Sequence, residues 1–288
     1  MKRLLQFDIE RAGIVVKRLL QAFEGNHGIF EDTSDLLEFQ IPEGVQPTSI
    51  EHARFLFYLI AQDYGTKSAR LYAKAKALYL KYPRVFDPGY VVSNYRGADD
   101  PKLAEDTGIQ LSTRFPKETA KRWYDNSEKS LKEYEGDPRM IFTTCADARI
   151  VFKRICSFRG FGPKIGGLLL RTFLGCKFAK LEYVNEVLVP VDVHDSRIAF
   201  YTGAAKIANT NEQIEDYHEY ARQIQHLWSQ ACNFACLDWL QVDRALWLLG
   251  SRGCVNHRCA ECRLSDLCWR GQALLERERR PELSIEYA

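Results

Sequence analysis

Apolar side chains recur at intervals of three and four residues along most of the chain, the spacing that places them on one face of an α-helix. In residues 3–23, for example, Leu5, Ile9, Val16 and Leu20 follow this period. The same kind of pattern predicts further helices at 50–64, 66–82, 116–134, 146–157, 163–174, 193–201, 211–231 and 237–249. The only run rich in β-branched residues, 181–193, is short. The sequence therefore predicts an all-α protein.

Three segments interrupt the helical pattern. Residues 25–48 are acidic and contain Pro42 and Pro47, so we predict that they connect two parts of the chain. Residues 83–115 are rich in proline and glycine, and we predict a long irregular insertion there. Residues 276–288 carry mixed charge, and we expect them to fray.

The composition of the 288 residues is that of an ordinary globular protein, with 46% hydrophobic and 27% charged residues. Such values argue against disorder, collagen-like repeats and coiled coils. The formal net charge of +2 conceals an uneven distribution, because residues 19–53 contain seven acids and no Lys or Arg. Residues 148–181 contain eight Lys or Arg and no acid, and we call them the acid-free band. A band of this kind is what a phosphate-facing surface needs.

Nine cysteines are present, and four of them, Cys254, Cys259, Cys262 and Cys268, fall within 15 residues. The odd total and the early charges at the N-terminus argue against a secreted, disulfide-bonded protein. No stretch has the roughly 18 uncharged apolar residues of a membrane span. We expect a monomer without a membrane partner in a reducing, intracellular compartment, either the prokaryotic cytoplasm and nucleoid or the nucleus. The five scattered cysteines are expected to be core residues.

The densest motif of the chain lies at residues 155–171, where one predicted helix ends and another begins within a few residues. Gly160 and Gly162 allow positive φ and a close approach of a ligand, and Pro163 suits the first position of a helix. The free N–H groups at that helix start would suit a phosphate. A dinucleotide fingerprint fits poorly, because no strand precedes the glycines. A plain helix–helix turn and a nucleic-acid phosphate clamp both stay open on this segment alone.

The residues from Phe158 to Lys164 resemble the helix-hairpin-helix of the endonuclease III and 8-oxoguanine glycosylase superfamily, whose hairpin reads leucine-proline-glycine-aliphatic-glycine-x-lysine. Arg159 stands where that family often has proline, and Gly166 where it commonly has alanine. The resemblance is strong over residues 145–270 and weak over 50–82. It implies two helical domains with a DNA-binding cleft between them, a six-helix domain at 49–180 and a second domain at 1–48 plus 181–288.

In that family the lysine after the hairpin is the nucleophile of bifunctional members, which implies this role for Lys164. The reaction needs a neutral amine, and a helix start inside the acid-free band favours one. The family's valine-aspartate-x-histidine segment matches residues 191–194 and implies that Asp192 is the catalytic carboxylate, a role compatible with that of a helix N-cap. His194 is expected to pack or hydrogen-bond locally, and Asp195 to be a first-turn charge. Lys164 and Asp192 are 28 residues apart, a longer separation than we expect for the family, and we assign the additional length to residues 176–188.

The four clustered cysteines follow the spacing C-x4-C-x2-C-x5-C. Four thiolates in one short loop can hold a [4Fe–4S] cluster, whereas zinc sites more often pair two CxxC motifs across a longer gap. The loop resembles the C-terminal cluster loop of endonuclease III-like glycosylases, although its first spacing is four residues where the family usually has six. Basic residues lie between the four cysteines, and Arg258 and Arg263 would bind DNA phosphates and so attach the loop to DNA.

The remaining predicted DNA contact is Gln62, in a stretch that resembles the family's leucine-x-alanine-glutamine sequence. That glutamine can fill the gap left by an extruded nucleotide. Tyr64, Tyr95 and Trp123 are further candidates for stacking on a base. Together with the hairpin, the predicted contacts to DNA are Gln62, Arg159, Gly160, Gly162, Ile165, His194, Arg258 and Arg263.

These residues predict a base-excision-repair DNA glycosylase with abasic-site lyase activity and a [4Fe–4S] cluster. Its partner would be double-stranded DNA that contains a damaged or modified base. No motif marks the base pocket, so oxidised pyrimidines, 8-oxoguanine, uracil and alkylated purines all stay open as substrates. A non-catalytic DNA-structure-binding protein that retains the hairpin and the metal cluster is the alternative, and a zinc-stabilised DNA-binding protein is a third reading.

Overall fold

The computed structural model describes residues 5–208 and 220–279. In chain order its strands and α-helices are β1 Leu5–Phe7, α1 Ile9–Glu24, α2 Ile50–Ile60, α3 Ser68–Lys81, α4 Pro88–Asn94, α5 Pro101–Ala104, α6 Pro116–Tyr134, α7 Met140–Thr143, α8 Ala148–Cys156, α9 Pro163–Gly175, α10 Val193–Tyr201, β2 Ala205–Ile207, α11 Ala221–Ala235, α12 Trp239–Leu248 and α13 Trp269–Arg279. The chain divides into two compact units, one made of Ser34–Val187 and the other of Met1–Thr33 together with Leu188–Ala288. The predicted all-α class is confirmed.

Most of the predicted helices are confirmed, with ends that lie within a few residues of the expected positions. Polar caps explain several of the starts. The Ser49 side chain accepts the His52 N–H at the start of α2, and the Asp147 side chain accepts the Arg149 N–H at the start of α8. The helix predicted at 211–231 lies partly outside the described residues, which begin again at Tyr220. The helix α11 spans Ala221–Ala235, and Cys236 follows it with a φ of 56°.

The prediction of an irregular insertion at 83–115 is wrong, because the segment is largely helical. Asp87 and Asp100 each cap a helix with their side chains, and each is followed by a proline at the first helical position. Pro88 and Pro101 therefore begin α4 and α5 and do not break them. A π-helical turn at Glu105–Ile109 follows α5 directly.

One further local prediction, the start of the first helix, is wrong. The helix expected to begin at residue 3 begins at Ile9, because Leu5–Phe7 pairs antiparallel with Ala205–Ile207 and the Asp8 side chain caps α1. The β-branched run at 181–193 contributes an isolated bridge between Asp147 and Glu182 and a 3-10 turn at Val184–Glu186, but no strand. The small sheet is thus formed by segments about 200 positions apart, a pairing that local periodicity does not reveal.

Aromatic packing forms the core of the Ser34–Val187 unit. The rings of Tyr58 and Trp123 stack with their centroids 4.6 Å apart, and Phe86 meets Trp123 edge to face at 5.2 Å. The indole of Trp123 donates a hydrogen bond to the Val85 carbonyl, so its polar atom is satisfied inside the core. Trp123 is therefore a core residue and is not available to stack on a base. Tyr95 is also buried, and its hydroxyl donates to Asp106.

In the other unit α1 packs most closely on α11. Gly13 makes this approach possible, because a Cβ atom there would lie 2.8 Å from the Phe234 ring. The expectation that the scattered cysteines are core residues holds for Cys232, which is buried, and fails for Cys236, which is exposed. Among the described residues, the structure contains no helix with both the length and the apolar character needed to span a membrane.

Candidate functional site

The glycine motif forms a tight turn between α8 and α9. Gly160 adopts a φ of 88°, a left-handed conformation that residues with a side chain rarely take, whereas Gly162 has a φ of −77° and a ψ of −176° and is extended. The expectation of positive φ is thus right for Gly160 and wrong for Gly162. Pro163 occupies the first position of α9, as predicted.

The three glycines of the motif have different surroundings. A Cβ atom on Gly160 would lie 2.9 Å from the Arg122 Cδ atom, and one on Gly166 would lie 2.9 Å from the Cys156 Sγ atom. Gly160 therefore allows the turn to pack closely against Arg122 of α6, and Gly166 allows close packing between α8 and α9. At Gly162 a Cβ atom would meet nothing within 4 Å among the described residues, so this glycine leaves open space beside the start of α9.

The Asn126 side chain of α6 forms hydrogen bonds with the backbone of the turn. Its side chain is buried, and its Nδ2 atom donates to the Arg159 carbonyl at 3.0 Å while its Oδ1 atom accepts the Arg159 N–H at 2.8 Å. One amide side chain thus satisfies both polar groups of a single turn residue. This pair of hydrogen bonds supports the hairpin conformation, because partly buried backbone groups without partners are costly.

We expect Asn126→Ala to lower the free energy of unfolding by about 1–3 kcal/mol, because two partly buried backbone groups lose their partners. Urea denaturation measures the change. Asn94→Ala is the matched control, since the Asn94 amide is exposed and bonds only the Tyr90 carbonyl of its own helix. Equal stability losses in the two variants would contradict the role given to Asn126.

Lys164 is the second residue of α9 and is partly buried. No side chain within the described residues caps the N-terminus of this helix, where Gly162 is the N-cap residue. The positive end of the helix dipole therefore faces the open space beside Gly162. Ile165, the next residue along, is buried in the unit, so it can contribute to a DNA interface only through its backbone N–H.

Arg159 lies at the exposed edge of the turn but is not free of partners. Its guanidinium contacts Glu118 at 3.1 Å and Asp125 at 2.6 Å, and both acids belong to α6. A phosphate would have to compete with these two carboxylates for Arg159. Two other bases of the acid-free band are also paired with acids from outside it, Arg149 with Asp147 and Glu186, and Arg171 with Glu38.

The Gln62 side chain is buried, with 3% of its surface exposed. Neither its Oε1 nor its Nε2 atom has a hydrogen-bond partner among residues 5–208 and 220–279. Two residues further along, Tyr64 is 60% exposed, and Phe115 in a second loop is 52% exposed. The loops are neighbours, since a Cβ atom on Gly65 would lie 3.6 Å from the Arg114 Cδ atom. Sequence analysis missed Phe115, although an aromatic residue directly before a helix-starting proline in a polar stretch was a usable signal.

Asp192 is the N-cap of α10, as the sequence predicts. Its Oδ1 atom accepts the N–H groups of His194 at 2.6 Å and of Asp195 at 3.3 Å. In return the Asp195 side chain accepts the Asp192 N–H at 2.7 Å, which completes a capping box. Asp192 belongs to the unit that includes Leu188–Ala288, and Lys164 belongs to Ser34–Val187. Asp195 lies in the first turn of α10, as expected, and its side chain is buried.

His194, in the first turn of α10, packs against Gly250 in the segment before Cys254. A Cβ atom on Gly250 would lie only 2.4 Å from the His194 Cβ atom, so no larger residue fits at position 250 without movement of the backbone. The His194 Nδ1 atom lies 3.4 Å from an Arg197 nitrogen. These contacts agree with the expectation that His194 packs and hydrogen-bonds locally.

Residues 176–188 are attached to the N-terminal end of α8. The Ala148 N–H donates to the Glu182 carbonyl at 3.0 Å, and the Glu182 N–H donates to the Ala146 carbonyl at 2.7 Å. The Arg149 guanidinium also lies over the Tyr183 ring, 4.5 Å from its centroid. This end of α8 is the one away from the hairpin turn, which follows Cys156 at the other end. The attachment of the insertion is thus about 13 Å from the turn along the helix axis.

Cys254 ends a π-helical segment at Leu249–Cys254 that continues directly from α12. Burial, and then the neighbouring thiols of Cys262, Cys268 and Cys259, raise the pKa of the Cys254 thiol to about 12. Burial likewise raises the pKa of the Cys262 thiol to about 11. The four thiols are therefore close enough to affect one another electrostatically, in surroundings that disfavour uncompensated thiolates.

Backbone N–H groups already point at two of these sulfur atoms. The Leu264 N–H lies 3.4 Å from the Cys262 Sγ atom, and the Gly271 N–H lies 3.3 Å from the Cys268 Sγ atom. Such bonds are typical of cluster-ligating cysteines. No three Cys, His, Asp or Glu side chains of the described ranges are grouped as ligands of a metal ion. Four thiols in one short loop, two of them with backbone N–H groups directed at sulfur, are a donor set that suits a four-iron cluster.

The two arginines predicted to bind DNA from the cysteine loop differ in their surroundings. Arg258 forms an ion pair with Glu261, three residues further along the loop. Arg263 is exposed. A neighbouring arginine, Arg252, pairs with Asp32 of the acidic N-terminal segment. The positive charge of the loop is thus partly neutralised by acids of its own unit.

No protein-family model matches the sequence, and no curated protein does either. Two solved structures are similar in fold. One is a trapped endonuclease III–DNA covalent intermediate in an estranged-adenine complex, with a TM-score of 0.58 and 14% identity, covering 94% of this chain and 100% of that one. The other is a thermostable thymine-DNA glycosylase, with a TM-score of 0.53 and 12% identity, covering 92% and 98%. At these identities the likeness establishes the fold, which is that of the helix-hairpin-helix glycosylases.

Proposed function

We propose that the protein is a DNA glycosylase with associated abasic-site lyase activity, which excises a damaged or modified base. The observation that carries the proposal is Lys164, placed at the uncapped start of α9 directly after the hairpin turn, in a chain with a helix-hairpin-helix glycosylase fold. Asp192 supports it, because two backbone N–H groups fix its carboxyl group in one orientation at the N-terminus of α10.

In the proposed reaction the Lys164 Nζ atom attacks C1′ of the flipped nucleotide. The C1′–N glycosidic bond breaks, and the base leaves with the bonding electron pair and takes up a proton. Loss of a proton from nitrogen and opening of the sugar ring give a Schiff base between Lys164 and C1′. Removal of a C2′ proton then breaks the bond from C3′ to the 3′ phosphate oxygen, and water releases Lys164. Asp192 stabilises the positive charge that develops on the sugar and assists these proton transfers.

The partner we propose is double-stranded DNA. The open space at Gly162 leaves room for a backbone phosphate at the start of α9, where the N–H groups and the helix dipole favour an anion. Tyr64 and Phe115 are exposed aromatic side chains on neighbouring loops and could stack on bases around the extruded nucleotide. The buried Gln62 amide would lose no internal hydrogen bond if it moved into the gap, because none of the described residues bonds its polar atoms.

We propose further that Cys254, Cys259, Cys262 and Cys268 hold a [4Fe–4S] cluster. When bound, the cluster would cross-link the cysteine loop and supply redox-active iron. The Leu264 and Gly271 N–H groups would stabilise the Cys262 and Cys268 thiolates through their hydrogen bonds to sulfur. Gly250 brings the segment before Cys254 into contact with His194, so an ordered loop would also support the start of α10.

Protein purified without oxygen should be brown and contain iron and sulfide in equal amounts. Cys262→Ser should remove the colour and most of the iron, because one of four ligands is lost. Cys236→Ser is the control, since Cys236 is exposed at the end of α11 and lies outside the loop; this variant should keep both. Absorption spectroscopy and iron analysis measure the outcome. A colourless wild-type protein that carries one tightly bound zinc ion would contradict the cluster.

A panel of duplexes tests the proposed function, with separate substrates that carry uracil, 8-oxoguanine, oxidised pyrimidines, alkylated purines and an abasic site. Single-turnover assays should detect release of at least one base and cleavage of the abasic strand. Salt-sensitive DNA binding without any product would favour the non-catalytic DNA-structure-binding alternative and contradict the proposal.

A further inference from the structure

Asp195 is a buried acid in direct contact with the proposed catalytic carboxylate. Only 2% of its surface is exposed, and its Oδ2 atom accepts the Asp192 N–H at 2.7 Å. The other oxygen, Oδ1, has no hydrogen-bond partner anywhere in the part of the chain that the structure describes. The Trp228 indole donates to the Asp195 carbonyl at 3.2 Å, which fixes this residue from α11.

A negative charge on Asp195 would be poorly stabilised at this position. Burial, and then the negative charges of Asp192 and Asp243, raise the pKa of Asp195 well above its usual value. Removing a carboxylate from water costs several kcal/mol unless a cation and hydrogen-bond donors compensate. With one oxygen lacking a donor and two acids as its strongest charged neighbours, the carboxyl group is stable in its neutral form.

The capping box distributes charge unequally between the two acids. Asp192 is partly exposed, and its Oδ1 atom accepts two N–H groups from the first turn of α10. The Asp192 side chain is therefore held by two hydrogen-bond donors at the positive end of the α10 dipole. Asp195 receives a single backbone N–H, that of Asp192 itself. If both groups were ionised, they would repel each other across one helical turn.

We propose that Asp195 is a positioning residue for Asp192: its buried, protonated carboxyl group accepts the Asp192 N–H and holds the backbone and side chain of Asp192 in place without adding a second negative charge. This inference rests on the proposed function of Asp192. Asp195 does not contact the substrate. It acts by fixing which of two neighbouring carboxyl groups carries the charge.

Other titratable and charged side chains lie on α10 and on the elements packed against it, near Asp195. Asp243 of α12 is the strongest acidic neighbour outside α10. The other titratable or charged side chains on α10 and on the elements packed against it are His194, Arg197 and Tyr201 on α10, Lys206 on β2, Arg222, His226 and Cys232 on α11, Arg244 on α12, and Arg252 and Cys254 in the π-helical segment.

Unfolding at different pH values tests the protonation without any activity assay. The unfolded chain ionises Asp195 above about pH 4, whereas the folded chain keeps it neutral to a higher pH. The wild type should therefore lose stability relative to Asp195→Asn as the pH rises from about 4 to 7, and the urea midpoint of the variant should move upwards relative to wild type. A difference between the two midpoints that does not change with pH would overturn the inference.

Single-turnover excision then tests the positioning role. Asp195→Ala should slow excision at least tenfold while its Kd for the lesion duplex changes less than twofold, because the change affects Asp192 and not DNA binding. Asp195→Asn, which keeps the acceptor for the Asp192 N–H, should recover most of the lost rate. Its rate should also lack the alkaline decline that the wild type shows when Asp195 ionises.

Equal rates in Asp195→Ala and wild type, or equal losses in the Ala and Asn variants, would overturn the positioning role. Failure of the proposed function gives a different result. In that case neither the wild type nor any variant releases a base, although the pH-dependent difference in urea midpoint between wild type and Asp195→Asn is still observed.

Discussion

Lys164→Ala is expected to slow cleavage of an abasic duplex by about 10³-fold or more, because the variant lacks the nucleophile that forms the Schiff base. Binding to the same duplex should weaken much less, since the hairpin turn and the N-terminus of α9 are unchanged. A gel assay of strand cleavage under single-turnover conditions measures the rate, and fluorescence anisotropy measures the Kd.

Lys132→Ala is the matched control for this experiment. Lys132 is an exposed lysine in the last turn of α6, in the same unit as Lys164 but outside the acid-free band. The control should cleave at the wild-type rate. Cleavage by Lys164→Ala at the wild-type rate would show that another group is the nucleophile, and the proposed lyase mechanism would be wrong.

Asp192→Asn is expected to slow base excision by roughly 10²- to 10³-fold, the usual effect of removing one electrostatic contact to a transition state. The fold should be preserved, because asparagine caps helices about as well as aspartate and can accept the same N–H groups from His194 and Asp195. The stability change should therefore stay below about 1 kcal/mol. Stopped-time assays of base release and urea denaturation measure the two quantities separately.

Asp238→Asn makes the same chemical change at another helix start of the same unit. Asp238 is the exposed N-cap of α12, and its side chain accepts the Leu240 N–H at 2.9 Å. This variant should keep full excision activity. If both Asn variants lose the same activity, the loss reflects helix capping, and the catalytic role of Asp192 is contradicted.

Much of the local structure was predictable because its causes are local. Pro163 after two glycines marks the start of α9, and Asp192 before an apolar helical pattern marks the start of α10. The same logic, applied to Asp87-Pro88 and Asp100-Pro101, would also have predicted α4 and α5. A proline that follows a capping aspartate begins a helix, whereas a proline in the interior of a helix breaks it.

Other features depend on contacts between distant parts of the chain, and local patterns do not encode them. The pairing of Leu5 with Ile207 and the bonds from Asn126 to Arg159 join segments that only the folded structure brings together. Burial is equally non-local. Nothing in the sequence around Gln62 or Asp195 distinguishes a buried polar side chain from an exposed one.

The glycine motif located the hairpin, but the sequence of the acid-free band gives an incomplete account of the charge around it. The acid-free band supplies the bases around Lys164, yet Arg159 is held by Glu118 and Asp125 from a helix more than thirty residues earlier in the chain. Bases that are consecutive in sequence are thus neutralised by acids that are close only in space. Salt-dependent DNA binding should therefore reflect fewer phosphate contacts than the eight bases of the band suggest.

Covalent trapping with peptide mapping is the most direct test of the central claim that Lys164 carries out the chemistry. The wild-type protein is incubated with an abasic or lesion-bearing duplex in the presence of borohydride, which reduces a Schiff base to a stable amine, and the adduct is digested and analysed by mass spectrometry. The account predicts one adduct, on the peptide that contains Lys164. No adduct on any of the substrates, or an adduct on a different residue, would contradict it.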